Sequence, residues 1–136
     1  MKPVTRKAMA PFRASVYMGL QRGYGEELLD KQEIISRIQQ YQDTRIREAD
    51  IYLSAAISDT TIVLRGQHEP HLVLGFINYP KFPMEENALK SEIEQLATTL
   101  MMEFAQNRMV IAYPDETVML EQSEDTDWRI HPEPSI

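Results

Sequence analysis

Thr60–Pro80, TTIVLRGQHEPHLVLGFINYP, decides the fold. β-Branched and apolar residues fill Thr60–Arg65 and His71–Asn78, and Gly66-Gln67-His68-Glu69-Pro70 lies between them with glycine and proline at its ends. Runs of that composition suit a pleated, half-buried surface, and the intervening residues suit a reversal, so the stretch predicts a β-hairpin. Long segments of helical periodicity flank it on both sides. The hairpin therefore predicts an α+β domain.

Working outward on the C-terminal side, Pro80 and Pro83 stiffen the exit from the hairpin and delay any helix to Met84. From Met84 to about Ala105 the residues Leu89, Ile93, Leu96, Ala97, Leu100, Met101 and Phe104 recur at three- and four-residue steps, and Glu85 and Glu86 suit the positive start of a helix. Gln106-Asn107 closes it. Arg108–Tyr113 reads as a strand, Pro114-Asp115-Glu116 as a turn, and Thr117–Leu120 as a segment able to pair back. On the N-terminal side, Ile34, Ile35, Ile38, Tyr41 and Ile46 form the apolar stripe of a helix predicted over Glu26–Glu48. Before it stands the short strand Ala14–Leu20, followed by a turn with glycines at Gly19, Gly23 and Gly25. Ile51–Ile57 also alternates like a strand, with Ser58-Asp59 as either a bulge or a turn before Thr60.

The resulting order, β-α-β-β-α-β, resembles the ferredoxin-like superfold over residues 14–121, with an antiparallel sheet and two helices on one face. That resemblance rests on element order and implies no single function. Residues 1–13 form a basic N-terminal arm and residues 122–136 an acidic tail. Helices on one face leave the other sheet face bare, and apolar residues on both faces of the hairpin strands make a wet face costly. A homo-oligomer built through the sheet face is the expected cover.

Charge is distributed unevenly about a net of −7. Lys2, Arg6, Lys7, Arg13 and Arg22 meet no acid up to Tyr24, whereas five acids from Glu121 onward face Arg129 alone. Two solvated tails are the expectation; attraction of arms between subunits is the alternative. An acidic whole disfavours nonspecific nucleic-acid binding. No apolar run is long enough for a membrane helix, and the first residues lack the apolar core of an export signal, so a cytoplasmic protein is expected. Without cysteine, thiolate catalysis, thiolate metal sites and disulfides are excluded. Trp128, in the charged tail, calls for an apolar pocket.

Strand polarity gathers three loops at one end of such a sheet: the glycine-containing turn, the hairpin tip and the entry to the last strand. Arg22, Gly23, Tyr24, Gly25, Arg65, His68, His71, Asn107 and Arg108 are then the candidate ligand-binding residues, as a site for a carboxylate or phosphate. His68 and His71 lack the third ligand that zinc requires, so neither a metal nor another cofactor is expected. Three functions fit. The first is a nonenzymatic, oligomeric binding or regulatory module that takes a small anion at this loop cluster. The second is a small enzyme with Arg22 and Arg108 orienting an acid substrate and His71, or a buried carboxylate such as Glu103, moving a proton. The third is an acidic inhibitor of the immunity type, masking a basic partner.

Overall fold

The computed structural model describes residues 2–22 and 26–123. Its elements are β1 (Arg13–Gly19), α1 (Lys31–Ala49), β2 (Ala56–Leu64), β3 (Gln67–Ile77), α2 (Glu86–Glu103), β4 (Arg108–Ala112) and β5 (Thr117–Glu121). The strands form one sheet in the order β2-β3-β1-β4-β5, every neighbouring pair antiparallel. This α+β order is compatible with the ferredoxin-like arrangement, with β5 added at an edge as the turn at Pro114–Glu116 returns the chain. The two possibilities at Ser58-Asp59 are settled by register: Ser58 faces Val73 and Asp59 faces Leu72, so β2 runs on without a break. Ile51–Ala55 lies outside any strand.

Alternation then divides the sheet. Ala14, Val16 and Met18 of β1, Leu72, Leu74 and Phe76 of β3, and Met109 and Ile111 of β4 are buried. They pack with Ile34, Ile38 and Tyr41 of α1 and Leu89, Ile93, Leu96, Ala97, Leu100 and Met101 of α2 in one core. A strand's side chains change face at every residue, so one face of each strand suffices for this core. Met102 falls between the buried positions of α2 and is exposed.

Both helices begin later than their periodicity suggests. Asp30 caps α1 by accepting from the Gln32 N–H at 2.9 Å, and the chain before it pairs Leu28 with Gln21 in an isolated bridge. Glu85 caps α2 by accepting from the Ala88 N–H at 3.0 Å. Side-chain acceptors at these positions satisfy N–H groups that have no partner within the helix, which sets the boundary more sharply than hydrophobic spacing can. At its other end α1 closes on Asp50, whose left-handed backbone returns its N–H to Arg45 and Ile46 carbonyls.

One buried polar cluster joins the helices. Glu92 lies on the buried stripe of α2 and is only 6% exposed, and Arg45 of α1 meets its carboxylate with two hydrogen bonds, at 3.0 and 2.8 Å. The Tyr41 hydroxyl is 3.2 Å from the same carboxylate, and burial together with that negative neighbour raises the phenol's pKa. The buried carboxylate is thus Glu92; Glu103 is exposed. The spacing Leu89–Glu92–Ile93–Leu96 placed Glu92 on the apolar stripe already, which was the available signal.

Candidate functional site at the base of the hairpin

β2 and β3 outreach the strand beside them. β1 ends at Gly19, opposite His71, whereas β2 and β3 continue pairing to Leu64 and Gln67. The link is two residues long, Arg65-Gly66, with φ of 52° and 78°. Two positive φ values in succession match the twist of a tight hairpin, so the turn is shorter than the Gly66–Pro70 segment and Pro70 becomes part of β3. Proline is tolerated there because its nitrogen points to the β1 side beyond Gly19; the Pro70 carbonyl on that side accepts the Leu20 N–H at 3.0 Å.

His71 stands at the boundary where the sheet narrows to this two-stranded extension. It is half-buried, and its Nδ1 is 3.3 Å from the Glu69 carbonyl oxygen. A carbonyl can only accept, so Nδ1 carries the proton of that bond, and in the neutral tautomer Nε2 presents a lone pair. Gly19 provides the space: a methyl group on it would lie 3.6 Å from the ring's Cε1 and Nε2 and 3.1 Å from Gln106 Oε1. Gln106 is buried and donates through Nε2 to the carbonyls of Gln21, at 2.9 Å, and Phe104, at 3.2 Å. Histidine, glycine and glutamine thus converge at the upper edge of the sheet face that carries no helix.

Those of the remaining expected residues that are described do not form one contact cluster. Arg22 is exposed and its backbone N–H goes to the Glu27 carbonyl. Gly23, Tyr24 and Gly25 lie outside the described residues, as does Trp128. Arg65 and His68 are exposed on the extension. His68 is three residues beyond His71, about 10 Å along an extended chain. Arg108 donates through Nε to Glu121 at 2.8 Å, an ion pair across β4 and β5, and Asn107 holds Ser123 through its side-chain oxygen, which accepts from the Ser123 N–H at 3.0 Å. These two residues anchor the chain after β5. Among the described residues no three His, Asp or Glu side chains are grouped as metal ligands would be. Gln106 was not among the expected site residues; as a glutamine after a helix end it gives no signal until the fold brings Gly19 beside it.

Below this row the helix-free face is lined by Ser58, Val73, Tyr17, Val110 and Met119, which stand opposite one another across the five strands. Met119 is 52% exposed, and Gly75, Ser15 and Ala112 continue the face in small side chains. At the far pole Tyr52 stacks on Phe82 with 4.3 Å between ring centres, beside Tyr79, around a groove of about 460 Å3. Among the described residues, no helix is long and apolar enough to cross a membrane.

No protein-family model matches the chain, and no curated protein sequence matches it. Solved structures do. A phage SAM lyase in its apo state superimposes with a TM-score of 0.65 at 12% identity, covering 91% of this chain and 100% of that one. A phage SAM lyase in complex with S-methyl-5'-thioadenosine superimposes with a TM-score of 0.59 at 15% identity, covering 92% of this chain and all of the other. At such identities the likeness is one of fold. It nevertheless overturns the expectation of a nonenzymatic module, which rested on element order: the structural neighbours that share this fold are enzymes.

Proposed function

We propose that this chain is a small lyase acting on S-adenosylmethionine or a closely related sulfonium nucleoside. The observation that carries this reading is the end-to-end superposition, in which the whole of a SAM lyase is matched by nine-tenths of this chain. The bulk charge agrees with it. A net charge of −7 favours approach of a cationic substrate and disfavours a free anion.

The chemistry makes modest demands. A sulfonium is already a leaving group, so its C–S bond breaks with the bonding pair going to sulfur and needs no covalent nucleophile from the protein. In an elimination the neighbouring carbon gives up a proton as the double bond forms, and S-methyl-5'-thioadenosine departs as a neutral thioether. His71 is suited to take that proton at Nε2, since Nδ1 is directed to the Glu69 carbonyl. Gly19 and the fixed amide of Gln106 define the space in front of the ring. Further copies of the chain packed on the helix-free face would wall this edge from water, which is the role we assign to assembly through the sheet.

The test is incubation of purified chain with S-adenosylmethionine, with mass-spectrometric detection of S-methyl-5'-thioadenosine. Release of that product is expected, together with a higher melting temperature in its presence, because a ligand that binds only the folded state stabilises it by mass action. His71→Ala should lower the rate about 100-fold or more. A chain that neither releases S-methyl-5'-thioadenosine nor is stabilised by it has another function.

A further inference from the structure

All the exposed aromatic rings among the described residues are in one place. Tyr52, Tyr79 and Phe82 are 37%, 47% and 40% exposed, Tyr52 lies on Phe82, and Tyr79 is 6.0 Å from Phe82. With Ile46, Leu53 and Ser54 they line a groove at the pole away from the hairpin tip, and Asp43 stands on its rim. Among the described ion pairs none involves the Asp43 carboxylate. The neighbouring Asp50 raises the pKa of the Tyr52 phenol. Large apolar rings left in water next to a carboxylate outside any described ion pair are suited to a cationic, partly apolar occupant.

A second unpartnered feature begins beside the groove. Residues 2–11 are exposed throughout and carry Lys2, Arg6 and Lys7 with no acid, and prolines at Pro3 and Pro11. No side-chain hydrogen bond or ion pair among the described residues ties this arm to its own domain. Val4 is 98% exposed. The arm leaves β1 at Arg13, which lines a cavity together with Tyr79 and Ser54, and those two residues also line the aromatic groove. Ten residues in an extended or polyproline conformation span about 31–35 Å, roughly the diameter of a small domain. The arm therefore reaches well past the surface of its own copy.

We propose that the groove of one copy receives the N-terminal arm of a second copy. Lysine and arginine on the faces of Tyr79 and Phe82, with Asp43 beside them, pair two features that are each unsatisfied within one chain. Prolines keep the arm extended, which lowers the entropy lost on docking, and aromatic-lined grooves are common receivers of such segments. Because arm and groove share one pole, reciprocal exchange about a two-fold axis satisfies both arms at once.

The chain has no cysteine, so single introduced thiols report contact without background. Thr5→Cys in one sample and Ser54→Cys in another are mixed and oxidised. A mixed disulfide is expected in at least tenfold excess over that from Met102→Cys mixed with Thr5→Cys, a pairing that uses an exposed helix position elsewhere. Arg6→Glu with Lys7→Glu should abolish the excess, and adding Asp43→Lys in the Ser54→Cys partner should recover part of it. Equal yields from the two mixtures overturn the exchange. So does a fast intramolecular disulfide in a dilute sample of the double variant Thr5→Cys, Ser54→Cys, which would seat the arm on its own copy. Loss of binding of S-methyl-5'-thioadenosine in Tyr79→Ala, with no mixed disulfide, would assign the groove to a nucleoside instead. None of these readouts depends on lyase activity.

Discussion

The lower and upper halves of the β2–β3 hairpin have similar composition and opposite fates. In the lower half Leu72, Leu74 and Phe76 are 0–3% exposed, because β1 continues the sheet beside them and both helices lie on that face. In the upper half Ile62, Val63 and Leu64 are 39%, 71% and 50% exposed, although the ladder between β2 and β3 is unbroken. Hydrogen bonding alone thus does not make a core; neighbours do. His71 lies at the transition, with its backbone in the wide sheet and its ring at the edge of the narrow extension, a position that gives one side rigidity and leaves the other open.

The largest break in this comparison should come from truncating the lower half. Leu72→Ala is expected to cost about 2–5 kcal/mol, from lost burial and the cavity left behind, whereas Val63→Thr should stay within about 0.5 kcal/mol; urea denaturation monitored by circular dichroism reads both. If the two substitutions cost the same, the upper half is buried in the working assembly. Arg45→Met should follow at about 3 kcal/mol, because it leaves the Glu92 carboxylate buried without its cation, while Arg45→Met with Glu92→Met should recover most of the loss. A double variant no more stable than the single one would show that packing, not charge, carries that contact.

Gly66→Ala should cost about 1–2 kcal/mol: the φ of 78° strains any residue with a Cβ, although nothing lies within 4 Å of the added atom. Its effect should be confined to the extension, so amide exchange should quicken at Ile62–Leu64 and remain slow at Leu72–Phe76. The smallest effect concerns alkaline pH. Burial is the leading cause raising the Tyr41 and Tyr113 phenols, helped by Glu92 and Glu94 respectively. An unfolded tyrosine ionises near pH 10. A raised folded-state pKa gives a stabilising contribution that is complete below that value and is lost above it, so stability should decline as pH rises past about 10. Absorbance of phenolate should show these two tyrosines ionising with unfolding, after the exposed ones.

Much of this was legible in the residues. Periodicity located both helices and most of their buried positions, and alternation located most strands while also marking Ile51–Ala55, which lie outside any strand, because helix and strand repeats differ and each exposes a different set of positions to the core. The loop end that carries His71 followed from strand polarity. Enzyme or binding module was not legible, since superposition with SAM lyases occurs at identities of 12% and 15%, where spacing of single residues preserves no motif. The length of the hairpin turn was missed because Pro70 reads as a strand breaker, and only the end of β1 makes its missing N–H harmless.

Sequence by itself determined which residues seek burial and roughly where the helices and most strands lie, as those preferences act over a few neighbouring residues. Tertiary structure alone decided that Glu92 meets Arg45 across 47 positions and that Gln106 meets Gln21 across 85. It alone decided that Tyr52, Tyr79 and Phe82 share one groove. Contacts between distant segments depend on where β1 stops and on how the helices cross the sheet, and no local propensity encodes either.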